Sequence, residues 1–146
     1  MGTGFLVGYD LILTNCHVYR QIENSEAFAR FDYYSSQSAR VRHRILKQKL
    51  AVSTEDFVEF RVAAPRNKGG KLSPAKQELA INQTLLILQH AKGGPLQIGI
   101  GHVTAVLPTK VVYDANTEPG SSGAPVFNMN WDLVGIHQCG NLRNNS

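Results

Sequence analysis

Short runs of apolar and β-branched residues, separated by glycine, proline or polar turn residues, recur along almost the whole chain. Such runs are typical of β-strands, and helical periodicity between them is weak. The runs that predict strands are 4–8, 11–14, 27–34, 39–46, 57–62, 83–89, 97–106, 110–113, 124–128 and 131–137. Many short strands at close spacing predict an all-β protein built from two Greek-key β-barrels, with one helical turn at 18–22.

A polar segment at residues 65–74 separates these strands into two groups. It is rich in proline, glycine and lysine and poor in side chains that pack, which is typical of a linker. We therefore predict an N-terminal β-barrel over 1–64, a linker over 65–78 and a C-terminal β-barrel over 79–146. The length of 146 residues suits one ordinary domain or two small barrels that share an interface.

The composition favours a globular protein in a reducing compartment. Hydrophobic residues make up 42% of the chain, with 13 glycines and 6 prolines, which is unlike a disordered segment. Two cysteines, Cys16 and Cys139, are too few for a disulfide framework, and their spacing from histidines predicts no zinc site. No leader and no run of membrane-spanning length is recognisable. We expect a cytoplasmic protein without cofactor, metal or membrane partner.

The positive charge is mild and does not favour a nucleic-acid partner. The formal net charge is +4, and much of the excess lies in residues 40–49. Arginines there alternate with Val41 and Ile45, as in a strand with one solvated face. Because no aromatic residues that could stack on bases are interleaved, nucleic-acid binding is the weaker interpretation.

Three short segments carry side chains suited to acyl transfer. Residues 117–128 contain a Gly-Ser-Ser-Gly turn, His17 ends an apolar run, and Asp56 begins another. Serine acylation needs a base, an acid that orients the base, and donors for the developing oxyanion. His17 can supply the base, Asp56 the acid and Ser122 the nucleophile, and the backbone N–H groups of Gly120 and Ser122 can supply the donors.

Other residues compete for these roles. His43 lies in the basic strand, His90 precedes a Gly-Gly turn, and His102 lies inside a strand, whereas His17 ends a strand beside a short helical turn. Ser121 competes with Ser122 for the nucleophile, and the turn alone leaves this choice open.

Six segments, in order along residues 2–140, carry a family resemblance. They are G-T-G-F-L-V-G, L-T-N-C-H-V, E-D-F-V-E-F-R-V, Q-H-A-K-G-G-P-L-Q-I, T-E-P-G-S-S-G-A-P-V-F-N and W-D-L-V-G-I-H. The chain resembles chymotrypsin-fold serine proteases, closest to bacterial trypsin-like peptidase domains of conflict-system and effector-associated proteins. The resemblance implies a double six-stranded barrel, with the catalytic groups in the cleft between the barrels and a protein or peptide as substrate.

The resemblance also implies a role for each residue. His17 matches the general base, Asp56 the orienting acid, Ser122 the nucleophile of G-x-S-G-x-P, and Gly120 with Ser122 the oxyanion pair. Ser121 stands where digestive trypsins carry the aspartate that binds a new N-terminus. Activation through that ion pair is therefore not expected.

Specificity is predicted from Thr117 and His137. Glutamyl endopeptidases of this fold carry threonine and histidine at the matching positions, and picornaviral proteases use a similar pair for glutamine. The resemblance thus implies a preference for Glu, with Gln next, before the scissile bond. The alternative is that His137 is a core histidine with a satisfied partner. Gln138, Cys139 and Gly140 are expected to form the edge that pairs with an extended substrate.

The family pattern includes a strand before residue 2 and a strand and helix after Gly140, and we expect these first and last family elements to be missing from this chain. We therefore expect the chain to be part of a larger protein with fused sensor or effector domains, or to have its barrels closed by other subunits. Two functional hypotheses stay open: an active serine endopeptidase, or an inactive protease-fold module for binding or scaffolding.

Overall fold

The computed structural model describes residues 1–37, 41–63, 72–138, 140–141 and 144–145, and only the backbone of 47–50 and of the last four. Part of the predicted linker and of the predicted strand at 39–46 therefore lies outside the described residues, as does Cys139. Within these ranges no helix is both long and apolar enough to cross a membrane.

The described elements are short strands with little helix. The strands are β1 (Phe5–Leu6), β2 (Leu11–Asn15), β3 (Phe28–Arg30), β4 (Arg42–Val52), β5 (Phe57–Val62), β6 (Thr84–Gln89), β7 (Gln97–Val106), β8 (Val111–Tyr113), β9 (Pro125–Phe127), β10 (Leu133–Ile136), β11 (Gly140–Asn141) and β12 (Asn144–Asn145). Helix α1 spans Cys16–Arg20, and one 3-10 turn spans Ala91–Gly93. The helix thus begins two residues earlier than predicted.

The first sheet has the strand order β1-β2-β5-β4-β3, with antiparallel neighbours. Val58, Phe60 and Val62 alternate with more exposed residues along β5, so one face of the strand is buried. They pack with Ile12, Cys16 and Tyr19 in a core that also supports α1.

The second sheet has the order β10-β9-β6-β7-β8-β12-β11. Leu85 and Ile87 of β6 and Val103 of β7 form its core together with Tyr113 and Val126. Two curled antiparallel sheets, each with its own apolar core, confirm the predicted all-β fold of two β-barrel units.

Part of the predicted linker is attached to the second sheet. The Leu133 N–H donates to Ser73 O and the Ala75 N–H donates to Leu133 O, both at 2.8 Å. Pro74 forms a parallel bridge with Leu133. The predicted limits of the two units stay predictions.

Candidate active site

The predicted base and acid are in direct contact. His17 Nδ1 lies 2.6 Å from Asp56 Oδ2, and the backbone N–H of His17 donates to Asp56 Oδ1 at 3.2 Å. The side chains of His17 and Asp56 are 40% and 34% exposed, so the pair lines an open surface. The carboxylate therefore fixes both the ring and the backbone of His17.

The ends of two neighbouring strands produce this contact. His17 is the second residue of α1, which follows β2, Asp56 precedes β5, and the two strands pair through Asn15 and Phe57. Asp56 has φ of 65°, a left-handed conformation that aspartate tolerates better than most residues. Its carbonyl accepts from the Cys16 N–H and from Asn15 Nδ2, both at 3.1 Å.

The Gly-Ser-Ser-Gly segment forms a tight turn before β9. Gly120 has φ of +99° and Gly123 has φ of +88°, a region in which side chains are strained. A Cβ at Gly123 would overlap Thr3 O and Thr14 Oγ1. The sequence therefore needs glycine at this position to pack the turn against Thr3, in the segment that leads into β1, and against Thr14 of β2.

The two serines of the turn differ in environment. Ser121 is fully buried, and its Oγ accepts from the Glu118 N–H at 3.3 Å. Ser122 is partly exposed, and its carbonyl accepts from the Thr3 N–H at 2.9 Å. Across the described residues, Ser122 Oγ forms no hydrogen bond with His17.

The predicted oxyanion donors are both free to receive a ligand. Neither the Gly120 N–H nor the Ser122 N–H donates to a residue that the structure describes. The carbonyl of Pro119, in the peptide that carries the Gly120 N–H, accepts from the Lys92 N–H at 2.6 Å. Since C=O and N–H of a trans peptide point in opposite directions, this bond directs the Gly120 N–H away from Lys92.

His137 lies beside the turn of residues 120–123, which we call the nucleophile turn after the role predicted for Ser122. Its N–H donates to Ala124 O and its carbonyl accepts from the Gly123 N–H, both at 2.8 Å. The side chain is only 2% exposed, and Nδ1 lies 2.6 Å from the hydroxyl of Tyr113. Burial is the main cause that lowers the pKa of His137 from 6.5 to about 4, and the nearby His17 lowers it further. The ring is therefore neutral near pH 7.

The bond to Tyr113 selects one tautomer of His137. Burial raises the pKa of the Tyr113 hydroxyl above its usual value of 10, so the hydroxyl keeps its proton and needs an acceptor. Among the described residues, His137 Nδ1 is the atom that accepts the proton of the Tyr113 hydroxyl. We therefore assign the ring proton to Nε2, which makes this nitrogen a donor.

The other predicted specificity residues lie in the loop before the nucleophile turn and in the segment after His137. Thr117 is half-buried in the loop between β8 and β9. Gln138 Nε2 donates to Glu55 O at 2.8 Å, so the side chain of Gln138 joins the loop that carries Asp56. Gly140 lies in β11 and pairs with Asn145. Cys139 lies outside the described residues.

The competing histidines have other partners. His43 Nδ1 lies 3.2 Å from Ala63 O, and His90 Nδ1 lies 2.9 Å from Gly94 O. His102 Nδ1 lies 3.6 Å from Asp114 Oδ1 on the exposed face of β7. Over the described part of the chain, no cluster of three or more His, Cys, Asp or Glu side chains could hold a metal ion.

No role is predicted from the sequence for two residues at this site. Tyr113 orients His137, and Thr3 bonds to the nucleophile turn. The Gly-Thr-Gly motif around Thr3 was a weak signal, because threonine hydroxyls can hydrogen-bond to backbone groups. No sequence pattern near Tyr113 predicts its role, because its contact with His137 depends on how β8 packs.

Comparisons with known proteins agree with this architecture. A family model described as the trypsin-like peptidase domain matches residues 2–136. The structure is similar to the Rv3671c protease of M. tuberculosis in its inactive form, at 19% identity and a TM-score of 0.76, over 99% of this chain and 75% of that one. It is also similar to Deg5, at 14% identity and a TM-score of 0.78, over 99% of this chain and 76% of that one. The chain belongs to the trypsin-like peptidase domain family.

Proposed function

We propose that the protein is a serine endopeptidase in which His17, Asp56 and Ser122 act as the catalytic triad. The double contact between Asp56 and His17, at 2.6 Å and 3.2 Å, carries this proposal. It leaves Nε2 of His17 available as the base, since Nδ1 faces the carboxylate. Membership in a peptidase family and the partial exposure of Ser122 give further support.

The mechanism follows from these positions. Ser122 Oγ attacks the scissile carbonyl carbon while its proton passes to His17 Nε2, and Asp56 stabilises the imidazolium. The oxyanion receives hydrogen bonds from the N–H groups of Gly120 and Ser122. His17 then protonates the leaving amine as the C–N bond breaks. Water, deprotonated by His17, hydrolyses the acyl-enzyme and restores Ser122.

The bond between Ser122 and His17 is expected to form when substrate binds. Hydrogen bonds between catalytic groups are often long in a free enzyme and shorten in the complex. A partly exposed serine has room for this adjustment, whereas the buried Ser121 has none.

The proposed substrates carry Glu, or next Gln, before the scissile bond. His137 lies next to the nucleophile turn, and its Nε2–H can donate to a carboxylate or carboxamide oxygen. The Thr117 hydroxyl would supply a second donor. Because neutral His137 offers no full charge, we expect Gln peptides to be cleaved measurably as well.

Labelling with a fluorophosphonate tests the proposed triad. We expect the wild type to be labelled, and Ser122→Ala to lose the label while keeping its fold. A well-folded wild type without label would support the binding or scaffolding module instead. A peptide-library cleavage profile tests specificity, and dominant cleavage after Lys, Arg or Phe would refute the preference for Glu.

A further inference from the structure

Thr3 forms four hydrogen bonds with described residues beside the nucleophile turn. Its N–H donates to Ser122 O at 2.9 Å, and its Oγ1 donates to Gly120 O at 2.7 Å. The same Oγ1 accepts from the His90 N–H at 3.2 Å, and the Thr3 carbonyl accepts from Thr14 Oγ1 at 2.6 Å. Thr3 is 5% exposed, so these bonds are formed away from bulk water.

The hydroxyl of Thr3 forms two hydrogen bonds that an apolar side chain cannot form. Its single proton goes to the Gly120 carbonyl, and a lone pair receives the His90 N–H. A valine of the same shape would leave both of these backbone groups without that partner, which destabilises a buried carbonyl or N–H group. A serine would keep both bonds.

The carbonyl that Thr3 binds lies between the two proposed oxyanion donors. Gly120 O belongs to the peptide between Gly120 and Ser121, which lies along the chain between the Gly120 N–H and the Ser122 N–H. The N–H of that same peptide, on Ser121, donates to Glu118 O at 3.0 Å. Both edges of this peptide plane are therefore held, one by the turn itself and one by Thr3.

The neighbouring carbonyls are held by backbone groups alone. Pro119 O accepts from the Lys92 N–H, Ser121 O from the Ala124 N–H, and Ser122 O from the Thr3 N–H. Of these four successive carbonyls, only that of Gly120 depends on a side chain. This is also the residue with the greatest freedom to rotate, because glycine at φ of +99° has many other allowed conformations.

We infer that Thr3 is a positioning residue, whose hydroxyl holds the Gly120 peptide so that the Gly120 and Ser122 N–H groups point at one oxyanion site. This inference rests on the proposed serine endopeptidase function. Thr3 precedes β1 of the first sheet, whereas the turn and His90 belong to the second. The residue therefore also aligns the unit that carries His17 with the unit that carries Ser122.

The matched variants Thr3→Val and Thr3→Ser test the role of the hydroxyl. Thr3→Val keeps the shape and the backbone bond to Ser122, and Thr3→Ser keeps the hydroxyl. We expect Thr3→Val to lower kcat and the rate constant of fluorophosphonate labelling about 10- to 100-fold, with KM changed less than about threefold, since oxyanion donors act in the transition state. Thr3→Ser should retain kcat within about threefold of the wild type.

The outcomes separate this inference from the proposed function. Rates are compared per folded molecule, with the folded fraction taken from circular dichroism at the assay temperature. Wild-type kcat in Thr3→Val, or equal losses in the valine and serine variants, would overturn the role of the hydroxyl while the labelled wild type upholds the endopeptidase. A folded wild type that is neither labelled nor active would overturn both.

Discussion

Asp56 Oδ2 lies 2.6 Å from His17 Nδ1, while the other carboxylate oxygen accepts from the His17 backbone N–H at 3.2 Å. One carboxylate thus sets the ring orientation and anchors the first turn of α1. The left-handed backbone of Asp56 and the two bonds to its carbonyl keep this carboxylate in place.

The substitution Asp56→Asn should remove the charge and favour the wrong tautomer of His17. We expect kcat to fall about 10³- to 10⁴-fold near neutral pH with little change in KM, as the same change does in other triad proteases. Hydrolysis of a Glu-containing peptide measures this. A loss below about tenfold would show that Asp56 does not orient the base.

The substitution Tyr113→Phe should weaken the specificity pocket without affecting the nucleophile. Without the hydroxyl, His137 Nδ1 loses its proton donor, and the ring no longer favours the tautomer with the proton on Nε2. We expect kcat/KM for a peptide with Glu before the scissile bond to fall about tenfold. The matched peptide with Ala at that position is the control and should be affected by less than about twofold. Equal losses for both peptides would contradict this role.

The buried, neutral His137 should make the protein less stable in mild acid. Its folded pKa of about 4 lies below the usual 6.5, so between these values the unfolded chain binds a proton that the folded chain excludes. Lowering the pH through this window therefore favours unfolding. The full shift corresponds to about 3 kcal/mol at 1.36 kcal/mol per pH unit.

Urea unfolding of the wild type and His137→Gln at pH 7, 6, 5 and 4 measures this contribution. The difference in unfolding free energy should move in favour of the variant by about 3 kcal/mol as the pH falls from 7 to 4. Parallel pH profiles for the two proteins would show that His137 is not held neutral.

The substitution Gly123→Ala should destabilise the fold by about 2–4 kcal/mol, because its Cβ would overlap Thr3 O and Thr14 Oγ1 at a positive φ. Gly135→Ala is the matched control, since a Cβ there meets nothing within 4 Å. The control should change stability by less than about 1 kcal/mol. Similar denaturation midpoints for both variants would contradict the tight packing at Gly123.

The sequence predicted those elements that local patterns determine. Strands β5 and β7 begin and end where predicted, because apolar alternation along them matches one buried face. The predicted strand at 27–34 is shorter, since β3 ends at Arg30 and Asp32 takes a left-handed φ of 55°. A local pattern cannot predict such an ending in advance.

The candidate site was predictable to a similar degree. The contact between His17 and Asp56 was expected because each ends or begins a strand in a family motif. The bond from Thr3 to Gly120 joins residues 117 positions apart, and the bond from Tyr113 to His137 joins residues 24 positions apart. Both depend on how the strands pack, which no short motif specifies.

Trapping the acyl-enzyme shows which side chain acts as the nucleophile. The wild type is incubated with a p-nitrophenyl ester of a Glu-containing peptide, quenched in acid and digested, and the peptide containing residues 121 and 122 is analysed by mass spectrometry. We predict an acyl group on Ser122, formed together with a burst of p-nitrophenol and absent from Ser122→Ala. The absence of any acylated peptide, or an acyl group on Ser121, would refute the assignment of Ser122 as the nucleophile.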